Sequence, residues 1–157
     1  MPTMTTQWTL PQTQAQIAAL IPHQADMCLL EQVTAADATH IECLTHTHAS
    51  TTHPLRVDNK LSAVHLCEYG AQAAAIHGAL LAAQDNQRAP PGWLVALRDV
   101  RLSINYLDDE PSVMAQPLNV RAQLQHRSAT GCSYEFQVFS AEQQLASGKV
   151  TVMNWAS

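Results

Sequence analysis

A chain of 157 residues with a formal charge of −5 suits one domain, 1–157, with room for a substantial core. Its 8 lysines and arginines stand against 13 acids and form no basic patch of the kind that tracks phosphates, so nucleic acid is not an expected partner. No stretch free of polar residues approaches the roughly 20 that a membrane span needs.

The opening MPTMTTQWTL lacks the basic-then-apolar run of a secretory signal, and Cys28, Cys43, Cys67 and Cys132 show no CxxC spacing. The expected setting is a reducing cytoplasm. From Pro11 to Leu20, Ile17, Leu20 and Ile21 give a short helical face, with Pro11 suited to the first turn and Pro22 ending it. Met27 to Val33 then reads as a strand, an Ala/Asp turn occupies 35–38, and Thr39 to His48 reads as the second strand of a hairpin. His46 and His48 stand two apart in that strand and are expected on one face, near His40; with no acid or cysteine at ligand spacing, no metal is assigned. Residues 49–60, ASTTHPLRVDNK, read as a loop.

Leu61 to Ala83, LSAVHLCEYGAQAAAIHGALLAA, is the longest regular stretch, about six helical turns without a proline. Small residues recur on nearly every face, and no charged stripe is present. Such a helix is expected to be buried on most sides and wrapped by a sheet, with Ala71, Ala74, Ala75 and Gly78 inside. Glu68 is its one acid, and His65, Glu68 and Gln72 lie along one face. His77, more than two turns further on, is expected to pack or to face solvent.

After turn signals at Asn86, Pro90, Pro91 and Gly92, strands return at Trp93 to Arg98, Val100 to Ile104, Met114 to His126, Cys132 to Phe139 and Gln144 to Met153. The last three are joined by short turns and form an antiparallel meander. One long helix with a mostly antiparallel sheet is an α+β chain. Trp8, Trp93 and Trp155 read as core or interface aromatics.

Three ordered pieces carry a family resemblance: Ile21-Pro22-His23 with the run Met27 to Val33, the helix segment Cys67-Glu68-Tyr69-Gly70-Ala71-Gln72-Ala73, and Leu97 to Leu102 leading into the meander. The chain resembles the hotdog-fold 3-hydroxyacyl-acyl carrier protein dehydratases, in a branch similar to those of aryl polyene and type II polyketide pathways. The resemblance implies an antiparallel sheet wrapped around one long central helix, and a site shared between subunits. It maps the family's helix glutamate to Glu68 and the accompanying glutamine to Gln72. The family's Gly-His-Phe-Pro-Gly loop is replaced by His53-Pro54-Leu55-Arg56, at the expected separation but without the glycines and the aromatic residue.

Dehydrating a 3-hydroxyacyl thioester needs a base for the proton beside the carbonyl and an acid for the departing hydroxyl. Histidine suits the first role, and a carboxyl group kept protonated by burial suits the second. Glu68 is the expected acid. His23 and His53 are the first candidates for the base, with His65 behind them. Backbone N–H groups near Ser62 to Val64 are expected to face the thioester oxygen. His65, Gln72, Ser62 and Arg98 are the expected substrate contacts, and Arg101, Arg56 and Lys60 offer further charge for an acidic carrier protein.

No metal or redox cofactor is required, the substrate being carried on the phosphopantetheine of an acyl carrier protein. The expected assembly is a homodimer or a heterodimer with another hotdog subunit, since an open sheet edge invites pairing. Two other readings share the fold: a noncatalytic or half-site subunit of a heteromeric dehydratase, favoured by the altered loop, and an acyl thioesterase.

Overall fold

The computed structural model describes residues 8–21, 27–85 and 92–154, with the backbone alone for 92–95 and 154. Helix α1 spans Gln14–Leu20, and the Thr13 hydroxyl caps it by accepting the Gln16 N–H at 3.1 Å. Pro11 is not in its first turn as expected, because the Pro11 carbonyl accepts the Val33 N–H at 2.9 Å and so ties this segment to the first strand.

That strand, β1, is Gln32–Ala36, and it pairs antiparallel with β2, His40–Thr45. The Asp37 carboxylate accepts the N–H groups of Thr39 and His40 at 2.8 and 2.9 Å and shapes the turn between them. Two expectations are corrected. Met27 to Glu31 lie outside the strand, since side chains rather than a neighbouring strand take the backbone groups of Met27 and Leu29. Strand β2 stops at Thr45, and a 3₁₀ turn over Thr47–Ala49 sends His46 outward and His48 into full burial, so the two do not share a face.

The central helix α2 is Leu66–Gln84, preceded by a 3₁₀ turn at Ala63–His65. Leu61 lies outside it because Asp108 captures its N–H at 2.8 Å. Strand β3 runs unbroken from Gly92 to Leu102 in place of two shorter strands, with a register irregularity between Arg98 and Arg101 and Asp99 at a φ of 52°. A short helix α3, Pro111–Ala115, takes residues expected to open the next strand, its proline in the first turn. The meander follows as β4 (Leu118–Ser128), β5 (Gly131–Ser140) and β6 (Gln143–Asn154).

The six strands form one antiparallel sheet in the order β1-β2-β4-β5-β6-β3, leaving β1 and β3 at its edges. Helix α2 lies against the sheet with Leu66, Tyr69, Ala73, Ala74, Ile76 and Leu80 buried in the core. Ala71, Ala75 and Gly78, expected inside, are half-buried; with His65, Glu68 and Leu81 they form a row along the side turned away from the sheet. His23, the turn at 86–91 and Trp155 lie outside the described residues.

The approach of α2 to the sheet is set by Gly70. A β-carbon there would stand 2.4 Å from Cγ of Phe136 and 2.9 Å from its Cβ, and the far side of that ring meets Gly148, where a β-carbon would lie 2.8 Å away. With no free side for the ring to move to, Gly70→Ala is expected to destabilise the fold by about 1 to 3 kcal/mol through overpacking, measured by urea unfolding. The same change at Gly78, where an added β-carbon meets nothing within 4 Å, serves as the control and should not destabilise.

Candidate active site

Glu68 sits in the first turn of α2 on the half-buried row, and Gln72, one turn further on, is almost wholly buried. The Gln72 amide is bonded at both ends inside the protein. Its Oε1 accepts the Leu29 N–H at 2.9 Å, while its Nε2 donates to the Met27 carbonyl at 2.6 Å and to Glu68 Oε1 at 3.3 Å. Gln72 therefore holds the carboxyl group of Glu68 and has no amide N–H left for a substrate. Oε1 is the acceptor of this bond, and Oε2 has no hydrogen-bond partner among the described residues.

His53 is buried on the other side of α2. Its Nδ1 accepts the Leu55 N–H at 3.1 Å, which fixes the ring proton on Nε2, and Nε2 donates to the Tyr69 hydroxyl at 3.0 Å. Tyr69 donates in turn to Thr47 Oγ1 at 2.9 Å, and Thr47 donates to the Leu29 carbonyl at 2.6 Å. The structure thus joins His53 to Tyr69, the neighbour of Glu68 in sequence, and among the described residues no hydrogen bond links His53 to Glu68.

The loop that carries His53 is clamped by Arg56. Its guanidinium meets Asp108 Oδ1 at 2.6 Å and also donates to the carbonyls of Ser50, His48 and Asn59 at 2.7, 2.7 and 3.1 Å. A guanidinium with four acceptors inside the fold is a structural tie rather than a charge offered to a carrier protein. The N–H groups expected to face a thioester oxygen are occupied as well: Ala63 donates to the Asn105 carbonyl at 2.9 Å, Val64 to Ser62 Oγ at 3.3 Å and His65 to the Ser62 carbonyl at 3.1 Å.

His65 is half-buried at the start of α2, and its positive form acts on His53. Arg98 and Arg101 are exposed on the edge strand β3. His77 is fully buried, donating to the Asp37 carbonyl at 2.7 Å and accepting from Tyr134 at 2.6 Å, so it packs. Tyr69, Thr47 and Asp108 escaped the sequence reading. A tyrosine on a helix with no polar stripe needs a hydroxyl partner, and that signal was available for Tyr69.

The ApeP-like family model, ApeP dehydratase, matches residues 15–156. The dehydratase heterocomplex ApeI:P from Xenorhabdus doucetiae is similar in structure, at a TM-score of 0.77 and 21% identity, over 90% of this chain and 91% of that one. An uncharacterized protein from Pyrococcus horikoshii (TM-score 0.60, 13% identity, 97% of each chain) and thioesterase superfamily member 2 from Mus musculus (TM-score 0.59, 9% identity, 89% and 92%) share the architecture. At these identities the likeness is one of fold, and the fold is the hotdog. No curated protein sequence matches the chain.

Burial, reinforced by the nearby Arg56, His65 and His48, pushes the His53 ring down from 6.5 to about 4. Burial also lowers His48 and His77, and His48 Nδ1 has no partner among the described residues while its Nε2 donates to the Val113 carbonyl at 2.7 Å. Each ring takes a proton near 6.5 when unfolded and resists it when folded. Their contribution to stability is complete above that pH and is lost as pH falls below it, toward 4 for His53. Unfolding free energy should therefore drop between pH 7 and 4.5, with His53 accounting for at most about 3 kcal/mol. His53→Gln should flatten that slope; an unchanged slope would contradict the assignment.

Proposed function

Because the chain belongs to the ApeP-like dehydratase family, we propose that it is the carboxyl-bearing half of a hotdog dehydratase acting on a 3-hydroxyacyl thioester of an acyl carrier protein. The observation that carries this reading is the contrast between Glu68 and His53. Glu68 stands on the open row of α2 with one oxygen held and the other unbonded, whereas both nitrogens of His53 are engaged and the ring stays neutral. A base needs a free lone pair; Nε2 of His53 carries the proton, and Leu55 occupies the lone pair on Nδ1.

In this reading a histidine of a partner hotdog chain removes the proton from C2. The C3–O bond breaks, the proton on Glu68 Oε2 passes to the departing hydroxyl, and water and the 2-enoyl thioester result. Gln72 sets which oxygen gives that proton. The heteromeric assembly of the similar ApeI:P structure supports a second hotdog chain as the partner. The small side chains beside Glu68 leave room for another subunit or an acyl chain to approach the carboxyl group.

The test is turnover of a 3-hydroxyacyl carrier-protein thioester by this chain alone and with its hotdog partner. Turnover is expected only in the mixture, and Glu68→Gln there should reduce it about 100- to 10,000-fold. His53→Gln should cost less than about tenfold. A loss as deep as that of Glu68→Gln would make His53 the base, and loss of that depth from His23→Ala alone would place the base on this chain at His23. Release of free acid with no 2-enoyl product would mean thioester hydrolysis instead.

A further inference from the structure

Two polar chains converge on one residue, Leu29, in a segment that no strand holds. From one side, the buried amide of Gln72 accepts the Leu29 N–H at 2.9 Å and donates to the Met27 carbonyl and to Glu68. From the other, the Leu29 carbonyl accepts the hydroxyls of Thr45 and Thr47, both at 2.6 Å. Thr47 alone of these two threonines continues the path, through Tyr69 to His53.

The direction of each bond follows from the one beside it. Leu55 donates to Nδ1, so Nε2–H donates to Tyr69, and the tyrosine proton then goes to Thr47; the Thr47 hydroxyl reaches the Leu29 carbonyl at 2.6 Å and Thr45 Oγ1 at 3.0 Å. From His53 to Thr47 no bond can reverse without leaving a buried donor unpaired, which is costly, and either threonine hydroxyl then closes the path on the Leu29 carbonyl. Tyr69 and Leu29 are buried and Thr47 is partly so, which shields the chain from competing water.

We propose that Thr47 and Tyr69 are positioning residues for the Glu68 carboxyl, acting through Leu29 and Gln72. They pin the segment 27–29 against α2. With that segment pinned, the Gln72 amide has one orientation, and Glu68 presents Oε2 rather than Oε1 to the open side. This explains why the segment lies outside the sheet although its sequence suits a strand. The inference rests on the reading of Glu68 as the acid, but its first measurement does not depend on activity.

In the full-length chain, hydrogen exchange of the Gln72 side-chain amide, followed by ¹⁵N NMR, should be slow in the wild type. Thr47→Val, which keeps the shape and removes the hydroxyl, should speed it by at least about tenfold, and Tyr69→Phe should act in the same direction. In the active assembly, Thr47→Val should lower kcat about 10- to 100-fold with KM within about twofold, as expected when a proton donor is misplaced. Thr47→Ser should restore both exchange and kcat, which separates positioning from loss of packing. Unchanged Gln72 exchange in both variants, or Thr47→Ser no better than Thr47→Val, would overturn the proposal. Glu68→Gln without effect on turnover would instead sink the dehydratase reading, and the exchange measurement would still decide whether Thr47 holds Gln72.

Discussion

The constraint on which this structure depends is the distance between α2 and the sheet, set where Gly70 meets the ring of Phe136. Any side chain at that point would push the helix outward or the ring into Gly148. Close approach lets Leu66, Tyr69, Ala73 and Ile76 fill the core while the opposite side of the helix carries Glu68 with the small residues Ala71, Ala75 and Gly78 between His65 and Leu81. Tyr69 and Gln72 flank the Gly70 contact, so the same approach that builds the core delivers the Tyr69 hydroxyl to Thr47 and the Gln72 amide to Leu29.

Around that rod the polar groups divide the labour. The Arg56–Asp108 pair ties the loop at 49–60 to the start of the helix, for Asp108 also accepts the Leu61 N–H. Burial next to this cation keeps His53 neutral, and its fixed tautomer feeds the hydrogen-bond chain toward Leu29. The result is a histidine at the position the family resemblance gives to a base, engaged in holding its own chain together. Glu68 is left with an oxygen on the open side, an arrangement suited to a site completed by another subunit.

The helix and the meander were legible because their hydrophobic periods are long and their turns short. Glu68 stood out for a similarly local reason, as the one acid on a helix of small residues. The path of Met27 to Leu29 was not legible: it depends on Gln72, 43 residues from Leu29, taking backbone groups that a strand would have used. The early end of β2 had the same origin, in Thr45 and Thr47 bonding back to Leu29. Resemblance located His53, but only the geometry shows that Leu55 and Tyr69 occupy its nitrogens. Gln72, read as a substrate contact, gives both its amide hydrogens to groups of the protein.

The claim at the centre of this account is that Glu68 of this chain works with a histidine of another. The most direct measurement is a structure of the assembly with its hotdog partner, bound to a non-reactive 3-hydroxyacyl pantetheine mimic. The account predicts Glu68 Oε2 within about 3 Å of the 3-oxygen, a partner histidine against C2, and His53 still bonded to Tyr69. A mimic whose C2 faces His53, freed from Tyr69, with Glu68 turned away, would contradict it.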